Sequence, residues 1–251
     1  MNEEIFNDIS EQYAKYRPGY PNSFYKYLCS TIGINKESII ADIGSGTGIL
    51  TKSLLQKCLN VYAIEPNNDM RRMAEITLKN EIGFFSINGT AENTTLKDHS
   101  IDFVTASQSF HWFDRKSFKH ECKRILKPQG KIILIWNSRD ESSDLVKSID
   151  FINKKYCPNF SGSSKGMRGA INNNDFDDFF SGKYVSKAFC NNISFSLERF
   201  IGLHQSASYH LNTNDCNYIN YINDLTNIFD AFSKDGKLVM PNFTRSYVGG
   251  V

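Results

Sequence analysis

Short apolar runs alternate with stretches whose apolar residues return every three or four positions. Residues 39–43 are the first run, and Leu50, Leu54 and Cys58 follow at helical spacing. Residues 61–65 form a second run ending in an acid, before a helix carrying Met70, Met73, Ala74 and Leu78 with Asn67 or Asn68 as its N-cap. Residues 83–88 and 101–107 read as the third and fourth strands. Asp114 caps a helix with Phe118, Cys122, Ile125 and Leu126 on one face, residues 127–130 stop it, and residues 131–136 form the fifth strand. Ahead of all these, a helix starts at Asn22 and stops at Gly33. Strand–helix alternation repeated five times by residue 137 predicts a parallel sheet with helices on both faces and right-handed crossovers.

The second part of the chain reads differently. Leu145, Ile149, Ile152 and Tyr156 mark a helix, and the Gly-, Ser- and Asn-rich residues 158–175 read as a mobile loop. Residues 184–195 suit one strand, and two helical patterns fill residues 197–204 and 218–232. Residues 238–244 are a final strand, which Pro241 demotes to an edge or a bulge. A single domain follows: a leader over 1–21, a core over 22–137, and a remainder over 138–251 with a helical cap at about 196–235.

Composition narrows the setting. A net charge of +2 without a basic run gives no nucleic-acid footprint, so none is expected as partner. No apolar stretch approaches a membrane span, and the acidic N-terminus lacks a signal core. The six cysteines show no metal-ligand spacing, so no metal is expected, and reduced core thiols fit a cytoplasmic protein. Oligomeric state is not legible.

The chemistry centres on Asp42-Ile43-Gly44-Ser45-Gly46-Thr47-Gly48, where an apolar strand enters a glycine turn and then a helix. Such a turn offers bare backbone N–H groups and a helix N-terminus to a polar or anionic ligand. Its G-x-G-x-G spacing departs from the G-x-G-x-x-G of dinucleotide-binding turns. Glu65 lies 23 residues beyond Asp42, near the spacing at which such folds place a carboxylate on ribose hydroxyls. His111 stands just past the fourth strand as a candidate base or a satisfied structural histidine, and Met70 is a ligand neighbour or plain core.

The turn at 42–48 resembles motif I of the class I S-adenosylmethionine-dependent methyltransferases. Residues 65–70, the Gly89-Thr90-Ala91-Glu92 loop, Gln108-Ser109-Phe110-His111-Trp112-Phe113-Asp114 and the turn from Arg124 to Gly130 are similar to that family's later landmarks. Two departures stand out: Thr90 where an acid is usual, and Leu96-Lys97 in place of Pro-Phe. The resemblance implies an α/β fold, a doubly wound, Rossmann-like, mostly parallel seven-stranded sheet. It implies S-adenosylmethionine as cofactor and S-adenosylhomocysteine as product. Cofactor contacts would fall to Asp42, Gly44, Ser45, Gly46, Thr47, Glu65, Pro66, Met70, Thr90, Ala91, Glu92, Ser107, Gln108 and Arg17. The segment around Tyr16-Arg17-Pro18-Gly19-Tyr20-Pro21 resembles a lid.

The Gln-x-x-His-Trp-Phe-Asp form is similar to a subgroup acting on small molecules, including relatives of trans-aconitate methyltransferase. A small-molecule acceptor would then meet Tyr13, Tyr16, Trp112, His204, Tyr209 and Arg245. Methyl displacement mainly requires alignment, and a base such as His111 helps only where the acceptor must lose a proton. A cofactor-binding protein without transfer activity and a nicotinamide-dependent oxidoreductase stand as rival readings.

Overall fold

A computed structural model describes residues 17–160, 162, 173–207 and 209–251. The first element of the described residues is α1 (Asn22–Tyr27), which widens into a π-helical turn over Leu28–Ile32 and ends at Gly33 with φ +99°. Then come β1 (Ile39–Ile43), α2 (Ile49–Leu55), β2 (Asn60–Ile64), α3 (Asn68–Leu78) and β3 (Phe84–Ile87). After β4 (Ile101–Ser107) and a 3-10 turn at Phe110–Trp112 follow α4 (Arg115–Ile125) and β5 (Leu126–Arg139). The second part holds α5 (Asp144–Tyr156), α6 (Asn173–Phe180), β6 (Tyr184–Cys190), β7 (Ile193–Phe195), α7 (Leu197–Gln205) and α8 (Tyr218–Phe232). It closes with β8 (Leu238–Met240) and β9 (Asn242–Gly249).

Seven strands form one sheet in the order β3-β2-β1-β4-β5-β9-β6, while β7 and β8 pair separately. The first five are mutually parallel, and β9 runs antiparallel between β5 and β6. This is the doubly wound α/β fold. Strand side chains alternate between two cores, as a period of two demands. Ile132, Leu134 and Trp136 face a core shared with Phe118, Cys122, Phe176 and Phe179. Ile133 and Ile135 face the opposite core, shared with Phe24, Leu28, Leu50 and Leu54. Because the chain leaves β1 and β4 for opposite faces, their carboxyl ends flank a crevice, the usual ligand position in open α/β sheets.

A buried carboxylate knits this centre. Asp42 accepts from Thr51 Oγ1 on α2 at 2.6 Å and from Thr105 Oγ1 on β4 at 2.8 Å. Caps fall where the sequence places them: Asn67 Oδ1 accepts from Met70 N, and Asp114 Oδ1 from Ser117 N.

Several expectations are corrected. The connection from β3 to β4 is not helical, so strand–helix alternation is interrupted there; Thr94 N and Oγ1 instead donate to Glu121 on α4, at 2.8 and 2.6 Å. The stretch 184–195 breaks at Asn191 into strands of two different sheets. Pro241, which has no N–H for a ladder, divides β8 from β9. Beyond it, β9 runs on to Gly249 inside the sheet rather than at an edge. Of the expected loop at 158–175, residues 161 and 163–172 lie outside the described residues. Its end starts α6, where Phe176, Phe179 and Phe180 recur at helical spacing and are buried against Phe110, Phe118 and Tyr247. The cap also exceeds residues 196–235: its core takes Leu145, Ile149 and Ile152 from α5 and closes on β7 and β8.

Among the described residues, no helix is long and apolar enough to cross a membrane. Burial lifts the Asp42 carboxyl to about 6, above its ordinary value of 3.8. Between those values the folded state binds the extra proton, so Asp42's contribution to stability falls as pH rises, by on the order of 3 kcal/mol once above 6. Urea unfolding of wild type and Asp42→Asn from pH 4 to 7.5 should show the variant gaining relative stability by that amount. A pH-independent difference would refute the raised value.

Candidate active site

Gly44, Gly46 and Gly48 all take positive φ, +65°, +56° and +82°, yet their surroundings differ. A methyl on Gly44 would lie 2.6 Å from Ser109 Cβ, and one on Gly48 2.8 Å from Leu78 Cδ1. At Gly46 it would meet nothing within 4 Å. The outer glycines therefore let the turn pack against its neighbours, and the middle one leaves open space.

The N–H groups of Gly44, Ser45, Gly46 and Gly48 are not bare, contrary to the sequence expectation. Ile64 O, at the end of β2, accepts from Gly44 N at 2.8 Å and Ser45 N at 3.1 Å. Glu65 Oε2 accepts from Gly46 N at 2.8 Å, and Ser45 O from Gly48 N at 3.0 Å. The parallel register sets Ile43 beside Ile64, so the end of β2 lies within reach of the turn. What the turn presents instead is hydroxyl: Ser45 Oγ and Thr47 Oγ1 are buried without a hydrogen-bond partner.

Glu65 is itself buried, with Oε1 accepting from Asn67 N at 2.9 Å. Desolvation raises its carboxyl above the ordinary range, opposed by the two backbone N–H groups and Arg71. Arg71, which sequence reasoning missed, donates to Glu65 O at 2.9 Å and Pro66 O at 3.1 Å, fixing the start of this segment. Met70 is buried on α3.

Across the crevice, Gln108 sits at φ +57°, uncommon for a residue with a side chain and a frequent feature of functional sites. Gln108 N donates to Ile135 O and its Nε2 to Asn137 O, leaving Oε1 buried and unpartnered. Ser109 Oγ donates to Ile43 O at 2.9 Å, joining this segment to β1. His111 Nδ1 is likewise buried and unpartnered, and burial lowers its ring to about 4, so it is neutral near pH 7. Trp112 beside it is 41% exposed.

In the loop after β3, Thr90 Oγ1 accepts from Asn93 N, Ala91 is buried, and Glu92 Oε1 accepts from Asp114 N at the start of α4. Of the leader residues, Tyr13 and Tyr16 lie outside the described residues. Arg17 reaches Ser206 O in the cap at 3.1 Å, and the Tyr20 hydroxyl hydrogen-bonds Ser107 Oγ in a short contact.

The other substrate candidates lie in the cap and on β9, with His204 near Arg17. His204 is fully buried in the cap beside Tyr221 and held neutral by desolvation, and Tyr209 packs on Phe160. Arg245 on β9 donates to Ser138 Oγ and lies over the Phe243 ring. Asp42 spends both oxygens on the two threonine hydroxyls. Among the described residues, no group of His, Cys, Asp and Glu could hold a metal ion.

Residues 41–134, from β1 through β5, match the model of the methyltransferase domain. Over these residues the chain is similar to methyltransferase domains. An uncharacterized methyltransferase of Mycobacterium tuberculosis is 33% identical over 144 residues, 57% of this chain and 56% of that protein. One from Schizosaccharomyces pombe is 33% identical over 141 residues, 56% of this chain and 55% of its own. The chain thus spans about half the length of the curated relatives it matches. Among solved structures, one from Anaeromyxobacter dehalogenans named as a type II methyltransferase aligns with TM-score 0.67 at 16% identity, covering 94% of this chain and 98% of that one. The YcgJ protein of Bacillus subtilis aligns at 0.57 and 15% identity, over 92% and 100%. At such identities these two establish the fold alone. The methyltransferase domain match includes the glycine turn, Glu65 and Gln108, whereas Arg17 and the cap lie beyond it.

The glycine geometry ranks three variants of the turn. Gly46→Ala should cost only the left-handed backbone penalty, about 1–2 kcal/mol. Gly44→Ala, which forces Ser109 to move, should cost the most, with Gly48→Ala between them because the Leu78 methyl can shift. Thermal denaturation of the three proteins checks this order, and a Gly46→Ala protein less stable than Gly44→Ala would contradict it.

Proposed function

We propose that this protein transfers a methyl group from S-adenosylmethionine to a small-molecule acceptor by direct displacement, releasing S-adenosylhomocysteine. The observation that carries the reading is a set of unspent polar atoms at the carboxyl ends of β1 and β4, where one glycine of the turn is open. Ser45 Oγ, Thr47 Oγ1 and Gln108 Oε1 are buried without partners, and the space above Gly46 is clear. Buried polar atoms without partners are costly, so a polar ligand supplying hydrogen bonds fits this place. Glu65 Oε1 and Oε2 each accept one backbone N–H, leaving carboxylate lone pairs for a ribose diol. Pro66, Met70, Thr90, Ala91 and Glu92 complete the same end of the sheet on its β2 and β3 side.

The cofactor supplies an electrophilic methyl on a sulfonium. The chain's part is to hold and orient, which in favourable cases is worth roughly 7–11 kcal/mol. His111 is kept neutral by burial, so Nδ1 is available to take a proton from a phenol, alcohol or amine acceptor; a carboxylate acceptor needs no base. Trp112 offers an exposed aromatic face beside it. The six free cysteines suit a reducing compartment and a cytoplasmic enzyme without a nucleic-acid or membrane partner.

Calorimetric titration with S-adenosylmethionine, S-adenosylhomocysteine and NADH tests the cofactor. The first two should bind and the third should not; binding of NADH alone would overturn the reading. Glu65→Ala should weaken binding of S-adenosylhomocysteine by about tenfold or more, consistent with loss of a charge-assisted hydrogen bond worth about 1.5–3 kcal/mol. Unchanged affinity would remove Glu65 from the site.

His111 is tested by single-turnover methylation of an acceptor that must be deprotonated. Because its ring gains a proton only near pH 4, the rate should show no loss from His111 between pH 8 and 5.5. His111→Ala should lower that rate by about 10²-fold or more. An unaltered rate at saturating acceptor would leave His111 a structural residue.

A further inference from the structure

We infer that the methyl acceptor carries a carboxylate as a handle, and that His204 and Asn153, flanked by Arg17 and Arg139, are the seat for it. The inference rests on the proposed function and names the class of acceptor. None of these four residues lies in the stretch 41–134 that matches the methyltransferase domain. They come from the leader, the end of β5, α5 and α7, so they belong to the part of the chain where an acceptor, rather than a shared cofactor, is told apart.

The seat is built around a hydroxyl whose proton is already spent. Tyr221 on α8 donates to Asn153 Oδ1 at 2.8 Å. The same oxygen lies 3.5 Å from His204 Nδ1 and can only accept there, which puts the proton of the neutral ring on Nδ1. Two nitrogens are left over, Asn153 Nδ2 as a donor and His204 Nε2. Both are buried without a partner, on side chains that are fully buried. Because both side chains converge on one tyrosine oxygen, the two unmet atoms belong to one locality. Cys157 and Tyr209 stand beside Tyr221, and burial pushes the Cys157 thiol up.

The surroundings are positive and adjoin the crevice. Arg17 Nη2 donates to Ser206 O at 3.1 Å, two residues past His204. Arg139 closes β5, two positions beyond Asn137, whose carbonyl accepts from Gln108 Nε2 at the crevice wall. Both guanidinium groups lie near enough to His204 to add to the desolvation that keeps its ring neutral. A buried place with an unmet N–H and two cations at its side favours an anion. As a carboxylate arrives, its charge offsets the arginines and the imidazole takes a proton from solvent at Nε2. The carboxylate then accepts from Nε2–H and from Asn153 Nδ2–H, and the two charges are buried as a hydrogen-bonded pair. Oxygens engaged in this way are poor nucleophiles, so a second group of the acceptor takes the methyl.

Calorimetric titration of the protein saturated with S-adenosylhomocysteine, using benzoate as probe and benzamide as its uncharged counterpart, tests the seat. Benzoate should bind and benzamide should not. Repeated in Tris and in HEPES at pH 7.5, the benzoate heats should differ by the buffers' ionisation heats times about one proton taken up. His204→Gln, which keeps a donor amide but cannot charge, should bind benzoate without that uptake. Arg139→Gln, at a half-buried side chain outside the cap core, should weaken benzoate by about tenfold.

Equal binding of benzoate and benzamide, or binding of neither, would overturn the seat. Benzoate binding without proton uptake in wild type, or with uptake that persists in His204→Gln, would do the same. Should His204→Gln fail to fold, Arg139→Gln decides: a benzoate affinity within about twofold of wild type rejects the seat. Proton uptake already seen on adding S-adenosylhomocysteine, and lost in His204→Gln, would give the seat to the cofactor's own carboxylate and overturn its assignment to the acceptor. A protein that does not bind S-adenosylhomocysteine fails the proposed function, whereas one that binds it but not benzoate rejects the seat alone.

Discussion

The anchoring of the glycine turn onto the end of β2 is the constraint on which the rest of the site depends. A turn with three positive-φ residues has lost its regular backbone partners, and buried N–H groups must be satisfied somewhere. Here the Ile64 carbonyl and the Glu65 carboxylate take them. This requires β1 and β2 to be adjacent and parallel, so sheet order and site geometry are one fact seen twice. Glu65 gains its fixed place from the turn it supports, and Asn67 N holds its second oxygen. The segment after β4 is fastened in the same manner, by Ser109 to β1 and by Gln108 to β5.

Burial then sets the electrostatics. Asp42 and Glu65 stand close together with little water, and desolvation raises both. Neither has a fully buried cation as partner; hydroxyls and backbone N–H groups do the stabilising. His111 responds oppositely to the same cause, because burial of a base favours its neutral form. One desolvated crevice thus holds carboxyl groups and an imidazole shifted in opposite directions.

The cap has its own core, built on Phe200, Tyr221, Leu225 and Phe229, and is tied to the sheet through polar contacts at a few points. That division separates the half that matches the methyltransferase domain from the half that lies beyond the match. His204 on α7 is fully buried beside Phe200 and Tyr221, near enough to Arg139 and Arg17 for their charge to add to the desolvation that keeps it neutral, and its Nε2 has no partner.

The sequence by itself determined the half that holds the glycine turn. Alternating apolar runs, caps at Asn67 and Asp114, and glycines at spaced positions act over a few residues, where backbone sterics and periodicity decide the outcome. Strands 1 to 5, the turn and Glu65 are legible for that reason. Contacts between residues far apart in sequence were not. Hydrogen bonds join positions 19, 137, 191 and 244, and Arg71, Glu121 and Arg124 organise loops through partners that no local pattern marks. The phenylalanines of α6 sit in a stretch whose polar composition reads as loop, and only burial against Phe110 and Tyr247 makes it a helix. Pro241 marked a break, but that β9 continues beyond it between β5 and β6 follows from pairing, which the tertiary structure alone decides. Local rules marked the regular segments of the first half; burial and long-range hydrogen bonding chose their partners and made α6 a helix, because those energies exist only once the chain has closed on itself.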